Sequence, residues 1–462
     1  MPLLDLSDRR PVHFVGIAGA GMSALAELFA RRGIAVTGCD NATTAADDLR
    51  RLGITVLQGH DPVHVEGARA VVVTSAVARD HPELARAREL GLPVIRRAEA
   101  LGEAVSGGTV VGIAGTHGKT TTTVMTTEAL RAAGLHPTGI VGGRVAAWAG
   151  NLSDGGDRTF VVEADEYDRS FLALTPTIAA ITNVEADHLD IYRDLDDIRG
   201  AFEQFARPAR GIVLCADDAG AASLRLPESA DVVPYGVESA ATPSTTRLLA
   251  RGVRMDDGRT LFDVVFDGGV VAQATLQVPG LHNVRNALAA IGGGLLLGAD
   301  AGALCAGLAG FAGVERRFQR LGEAAGVFVV DDYAHHPSEI TATLQAARAS
   351  FPGRRIVAAF QPHLFTRTRD LHAEFGAALA AADRVFLTEI YPAREQPIAG
   401  VSSTLVRAGV ERAGGQVAWL GARDALAEAL AGAVQDGDVV LTLGAGDITR
   451  TGPELLHRLR RS

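Results

Sequence analysis

Apolar positions in the first hundred residues gather in short runs, over 12–17, 35–39 and 70–74. Runs of that length read as strands buried on both faces. Between them, apolar side chains return every three or four positions over 22–32, 45–52 and 81–90, the period of helices packed on a core. This alternation predicts a doubly wound parallel sheet. The joint Ser106-Gly107-Gly108 ends the section, and an apolar run at Thr109-Val110-Val111 opens the next. There the pattern predicts strands at 159–163, 178–182 and 211–215, a turn-rich β stretch from 232 to 279, and a helix over 284–297. After Gly313 the alternation restarts, with strands at 327–331, 356–360, 385–388 and 439–443 and an amphipathic helix over 337–350. The expectation is an α/β chain of three domains: Rossmann-like over 1–106, a central P-loop ATPase-type domain over 107–314, and a second Rossmann-like domain over 315–462.

A length of 462 residues suits about three domains of ordinary size. Hydrophobic content of 47% with 53 glycines fits large α/β cores joined by tight turns. The net charge of −10, with no basic block, argues against a nucleic-acid partner. Cys39, Cys215 and Cys305 lie far apart with no metal spacing, and read as small buried apolar residues in a reducing compartment. The charged segment 1–10 does not read as a signal peptide, and the apolar stretch 295–311 is broken by Asp300 and glycines, so no membrane span is expected. A soluble cytoplasmic protein with no obligate protein partner is the expectation.

Of 44 Lys and Arg residues, one alone is lysine: Lys119, in Gly115-Thr116-His117-Gly118-Lys119-Thr120-Thr121. An ammonium is a compact charge on a flexible stem and enters a ring of backbone amides that a planar guanidinium does not. Strand, glycine-rich turn, Lys-Thr and a helical pattern describe a cradle for nucleotide phosphates, with the Thr120 hydroxyl offered to Mg²⁺. ATP is the expected nucleotide. Upstream, Gly19-Ala20-Gly21-Met22-Ser23-Ala24 follows the first strand, with Asp40 after the second. That spacing suits a diphosphate at a helix N-terminus and a ribose hydroxyl on the acid, whether from a dinucleotide or a UDP-sugar. An NAD-dependent oxidoreductase would leave the second phosphate loop unexplained. Two strand ends carry carboxylate clusters, Glu163-Ala164-Asp165-Glu166-Tyr167-Asp168 and Asn183-Val184-Glu185-Ala186-Asp187-His188-Leu189-Asp190. Acids so crowded repel one another unless a cation neutralises them, and hard oxygen ligands suit Mg²⁺.

The second loop has Ile113 where the strict Walker pattern places glycine. It resembles instead the ATP loop of the Mur ligases, the amide-forming enzymes that assemble the peptidoglycan stem peptide. The acid clusters follow in that family's order, and so does the segment from Gly280 through His282, Asn283 and Asn286 to Ala290. Asp331-Asp332-Tyr333-Ala334-His335-His336-Pro337, the segment from Phe360 to Asp370, and Leu443-Gly444-Ala445-Gly446-Asp447-Ile448 continue it, so the resemblance covers nearly the whole chain. Where relatives often place Arg-Tyr after Gln-Pro-His, this chain has Leu364-Phe365. It also has no lysine beyond the acid clusters, where many relatives carry a modified one, as expected for the alanine-adding branch.

The resemblance implies roles. Gly115 through Thr121 would hold ATP, Glu163 and His188 would join Thr120 on magnesium, and His282, Asn283 and Asn286 would contact adenine. Gly19, Ala20, Gly21, Met22, Ser23 and Asp40 would receive UDP-N-acetylmuramate. Tyr333 and His335 would line a pocket for L-alanine, Arg367 would clamp its carboxylate with Arg369 as a weaker candidate, and His335 is the candidate general base. Two other readings remain: a recycling ligase that joins the same UDP-sugar to a preformed tripeptide, and an ATP-dependent regulator that binds the UDP-sugar without ligating it.

Overall fold

The computed structural model describes residues 3–42, 46–74, 76–189, 191–256, 258–393 and 395–461. Three sheets form, each with its own helices, in a three-domain α/β architecture. The first runs Thr55–Gln58, Val36–Asp40, Val12–Val15, Ala70–Val73, Val94–Arg96, all parallel. Val12–Val15 and Ala70–Val73 are buried throughout, as strands at the centre of a parallel sheet are, and Val12–Val15 carries His13 into that core. The expected strand 12–17 stops at Val15 because Gly16 takes a φ of +80° and turns the chain into the helix Ala20–Arg31. The expected helix 45–52 forms over Asp47–Arg51, with Ala45 outside the described residues.

The second sheet has ten strands, in the order Gly269–Leu276, Arg259–Phe266, Leu248–Asp256, Asp231–Val237, Gly211–Cys215, Ile178–Ile181, Thr109–Ala114, Thr159–Glu163, Thr138–Val145, Gly150–Ser153. Its first four members are the stretch read from sequence as turn-rich β. Thr109–Ala114 lies between Ile178–Ile181 and Thr159–Glu163 and parallel to both. Loops leaving these three strands therefore emerge along one edge, where the strand order reverses and α/β sheets bind ligands. The third sheet runs Gln319–Ala324, Val327–Asp332, Val439–Leu443, Ile356–Phe360, Arg384–Thr388, Val417–Gly421, parallel except for its first pair.

Contacts divide the chain into two compact units. One holds the residues up to Arg254 with Leu261–Leu276 and Val284–Phe311; the other holds Met255–Thr260, Gln277–Asn283 and everything from Ala312 onward. Within the first unit the first two sheets are joined closely. A Cβ on Gly102 would collide with the Ala173 carbonyl, and the Arg32 guanidinium lies 5.0 Å over the Phe160 ring. Among the described residues no helix is long and apolar enough to cross a membrane.

Cys39 is buried as expected, in the core with Val15, Val71 and Leu84. Its sulfur also meets polar groups: the thiol donates to Glu83 at 3.1 Å and lies 3.3 Å from His60 Nδ1. These polar neighbours come from other segments, which spacing along the chain does not reveal. Strands unmarked by the apolar pattern sit mostly at edges, where they are short or half-exposed: Thr55–Gln58, Val94–Arg96, Gly150–Ser153, Gln319–Ala324 and Val417–Gly421.

Two glycines test the packing in opposite directions. Gly376, in the helix Phe365–Leu379, meets the backbone of Gly409 in the helix Ser403–Arg412, and an added Cβ has no room. Gly200, in the helix Leu195–Ala206, has nothing within 4 Å of an added Cβ. Thermal unfolding should show Gly376→Ala destabilised by about 1–3 kcal/mol and Gly200→Ala stabilised by about 0.5–1 kcal/mol.

Candidate active site

The loop after Thr109–Ala114 is shaped by two glycines with positive φ, Gly115 at +150° and Gly118 at +79°. A Cβ on Gly115 would strike Thr182 Oγ1, and one on Gly118 would lie 2.7 Å from Asn286 Oδ1. Gly118 caps the helix Lys119–Ala132, whose first-turn amides face the loop. The neighbouring strand end pins this turn from the side. His117 donates its amide to Asn183 Oδ1 at 2.7 Å, while its carbonyl accepts from Thr182 Oγ1 at 2.8 Å and Asn183 Nδ2 at 3.1 Å. Glu185 donates its amide to Thr116 Oγ1 at 2.9 Å. The loop is therefore held open, with its amides oriented, by side chains of the adjacent strand end.

Lys119 turns back over this loop. Its Nζ donates to Gly115 O at 2.8 Å, Thr116 O at 3.3 Å and Glu166 Oε2 at 2.7 Å. Burial alone would drive its proton off, but the charges of Glu166, Asp165 and Glu163 outweigh that and hold the ammonium protonated. Burial pushes the Glu166 carboxyl up to about 7, against the pull of Lys119. Its Oε1 is buried without a hydrogen-bond partner, and His188 Nε2 stands 3.6 Å away. His188 adopts a φ of +53° and accepts the Tyr167 ring edge-on at 5.1 Å between centroids. On the other side, Glu163 Oε1 accepts from Thr120 Oγ1 at 2.8 Å and Oε2 accepts from the Gly142 amide at 2.6 Å. Hydroxyl, carboxylates and an orphaned buried carboxylate oxygen form a donor set that fits a hard divalent cation.

Of the expected residues, Gly115, Thr116, His117, Gly118, Lys119, Thr120, Glu163 and Asn286 are linked by these contacts, and His188 joins them through Glu166. Thr121 is buried on the first turn of the same helix. Asn283 donates its side-chain amide to Pro279 O at 2.7 Å, and the His282 ring lies over Gly280. Asp190 lies outside the described residues. Glu166 is the central residue that the sequence pattern left unassigned, although it sits inside the quoted cluster. Tyr192, whose hydroxyl donates to the Glu166 carbonyl at 2.6 Å, was likewise unmarked.

At the carboxyl edge of the first sheet, Asp40 braces the glycine loop. Its Oδ2 accepts from the Ala18 amide at 3.0 Å and its Oδ1 from the Ala42 amide at 2.9 Å. Gly19 is the N-cap of the helix Ala20–Arg31, which includes Met22; Ser23 bonds the Ala20 carbonyl at 2.9 Å. Arg97 was not anticipated: its Nη1 lies 3.0 Å from where a Cβ on Gly21 would stand. A cation at the positive end of a helix is disfavoured unless an anion joins them.

In the second unit, Tyr333 is fixed by the guanidinium groups of Arg316 and Arg317, 4.8 and 5.0 Å from its ring centre. His335 meets Tyr333 edge-on at 5.1 Å and His363 at 6.1 Å; its Nδ1 lies 3.0 Å from the Tyr333 carbonyl and 3.2 Å from Glu339. Arg367 is buried, with its Nη1 3.4 Å from His363 Nδ1, and His363 stacks on Tyr391. Leu364 takes a φ of +71° just before this helix, a strained start that aims the Arg367 turn. Arg369 is exposed and paired with Asp370 at 2.7 Å.

These features define a nucleotide-dependent enzyme of the phosphate-loop α/β class, with carboxylates gathered beside the loop lysine. Three family models match along the chain: "Mur ligase family, catalytic domain" over 11–109, "Mur ligase middle domain" over 113–293 and "Mur ligase, glutamate ligase domain" over 316–446. The chain belongs to the Mur ligase family of ATP-dependent amide-forming ligases. It is 46% identical to a UDP-N-acetylmuramate–L-alanine ligase of Kineococcus radiotolerans, over 97% of this chain and 96% of that one. It is 44% identical to the enzyme of that name from Streptomyces coelicolor over the full length of both. Among solved structures it resembles the UDP-N-acetylmuramate-alanine ligase of Thermotoga maritima, with a TM-score of 0.82 and 30% identity over 98% of this chain and 99% of that one. A murein peptide ligase from Psychrobacter arcticus matches with a TM-score of 0.70 and 25% identity over 98% of this chain and 99% of that one.

The crowded seat of Lys119 yields a direct test. Lys119→Arg should keep the circular dichroism spectrum of the wild type and lose ATP-dependent turnover by about 100-fold or more. A variant turning over at the wild-type rate would show that the seat accepts a guanidinium.

Proposed function

We propose that the chain joins L-alanine to the lactyl carboxylate of UDP-N-acetylmuramate at the expense of ATP, in peptidoglycan precursor synthesis in the cytoplasm. The observation that carries the catalytic part is the buried lysine ringed by loop carbonyls and Glu166, with Thr120 and Glu163 paired alongside. A carboxylate is a poor electrophile, so phosphorylation by ATP to an acyl phosphate precedes attack by the neutral amine of alanine. A tetrahedral intermediate then collapses to amide and phosphate, leaving ADP. The chain's work in this reading is positioning and charge neutralisation.

Residues take the following parts. The amides of Gly115 through Thr121 receive the phosphates, and Lys119 shifts from a loop carbonyl to a phosphate oxygen; its three donors are already committed, so one contact must yield. Thr120, Glu163, Glu166 and His188 would hold Mg²⁺, which when bound supplies neutralisation of the phosphate charge. His282, Asn283 and Asn286 face adenine. Residues 1–106 form the UDP-sugar domain, where Gly19, Ala20, Gly21, Met22 and Ser23 lie along the diphosphate; Arg97 supplies its counter-charge and Asp40 takes a ribose hydroxyl. Residues 107–314 form the ATP domain and 315–462 the alanine domain, in which Tyr333 and His335 line the pocket and Arg367 clamps the carboxylate. His335, oriented through its Nδ1, is the candidate to accept the proton of the incoming ammonium.

The recycling reading shares the phosphate chemistry and differs only in the acceptor. Relatives named for alanine and the fixed Tyr333 favour alanine. Phosphate release with ATP, Mg²⁺ and UDP-N-acetylmuramate should start on adding L-alanine; release only with L-Ala-γ-D-Glu-meso-diaminopimelate would move the chain to recycling, and release with neither would leave a binding protein. Arg367→Ala should raise KM for alanine by about ten-fold or more while KM for ATP changes little. Equal effects on both would remove Arg367 from the alanine pocket.

A further inference from the structure

Beneath the first sheet's edge lies a cluster that the ligase reading leaves unused. His13 sits on Val12–Val15 and Cys39 on Val36–Asp40. His60 follows Thr55–Gln58, His64 lies in the turn Pro62–Val65, and His81 and Glu83 open the helix Pro82–Glu89. Four histidines, one thiol and one carboxylate thus converge from five segments. Cys39 Sγ, His60 Nδ1 and Glu83 Oε2 form a near-equilateral triangle with sides of 3.1, 3.3 and 3.3 Å. A tetrahedral zinc ion, with bonds of about 2.0–2.3 Å, separates its ligand atoms by roughly 3.3–3.6 Å. The triangle is therefore close to one face of a zinc tetrahedron.

A fourth donor stands in reach. His81 Nδ1 lies 3.8 Å from Glu83 Oε2 and has no hydrogen-bond partner. The deeper His13 is fully buried; its Nδ1 faces Thr37 Oγ1 at 3.0 Å, while its Nε2 is buried without a partner. Ring nitrogen, Cys39 Sγ and a Glu83 oxygen in that group all lie within 4.8 Å of one another. The orphaned His81 Nδ1, beside a thiol and a carboxylate, is costly where water is excluded. A metal ion in its reach resolves that cost. His64 Nδ1 holds the second oxygen, Glu83 Oε1, at 2.8 Å, as outer partners of metal ligands do.

We propose that Cys39, His60, His81 and Glu83 form a binding site for Zn²⁺, closed and four-coordinate, with His13 packed behind it and His64 orienting Glu83. A closed set with a thiolate is of the structural kind. On binding, the Cys39 thiol gives its proton to solvent and the thiolate sulfur bonds zinc, so no oxidant or reductant is needed. The partly exposed rings of His60 and His81, 21% and 15% accessible, provide the entry path. Zinc there ties the ends of the second and third strands to the helix Pro82–Glu89, one residue from Asp40.

Cobalt(II) reports on such a site by a thiolate-to-metal charge-transfer band. Chelator-treated full-length protein, titrated with Co²⁺, should develop that band to one equivalent and lose it when Zn²⁺ is added. Cys39→Ser, which keeps the size of the side chain, should show a native circular dichroism spectrum and no band, whereas Cys215→Ser should keep it. His64→Ala should weaken metal affinity by about 10–100-fold. His60→Ala, at a partly exposed position, should lose the tetrahedral signature even if Cys39→Ser proves unstable. Absence of a thiolate band in the wild type, or its persistence in Cys39→Ser or His60→Ala, would overturn the proposal.

Discussion

The ion pair between Lys119 and Glu166 is the contact around which the central site is arranged. Both groups are buried, and removing one partner of such a pair costs about 3–5 kcal/mol because the other is left charged and dry. The pair therefore fixes where the loop and the acid-bearing strand end lie relative to each other. It also limits what Lys119 can do next. The ammonium has three donors, and Gly115 O, Thr116 O and Glu166 Oε2 take all of them. Any phosphate must displace one, and Thr116 O, at 3.3 Å, is the weakest of the three.

Parallel strand order explains why the rest of the chemistry gathers where it does. In the second sheet, the phosphate-loop strand lies between the strands that end in Glu163 and Ile181, so their loops surround it. The first sheet repeats the arrangement with the glycine loop, Asp40 and the turn after Val73 around the central strand. The third does so with Tyr333, Gln361 and Gly444 at adjacent strand ends. Each sheet thus gathers its candidate site residues at the carboxyl ends of its strands, the edge at which α/β sheets bind ligands.

Much of this was legible in the sequence because it is local. A lone lysine behind a glycine turn, acids directly after apolar runs, and the restart of alternation after Gly313 each fall within about ten residues. The buried strands were readable for the same reason: Ile356–Phe360 and Val439–Leu443 formed where their continuous apolar runs predicted. What stayed hidden depends on distant partners. Glu166 looks like any acid of its cluster until the fold carries it 2.7 Å from Lys119. Arg97, Arg316 and Arg317 sit in ordinary surface-like composition and acquire meaning only over Gly21 and Tyr333. Cys39 read as apolar because its ligand-like neighbours come from four other segments. Edge strands escaped because one half-exposed face leaves no continuous apolar run.

Whether Lys119 seats the nucleotide phosphates can be read by calorimetric titration with a non-hydrolysable ATP analogue and Mg²⁺. The comparison is wild type against the double variant Lys119→Met/Glu166→Gln, which removes both charges and so leaves no unpaired carboxylate in the core. The folded double variant should bind the analogue about ten-fold or more weakly than the wild type. Equal affinities would contradict that role of Lys119 and would place the phosphates elsewhere.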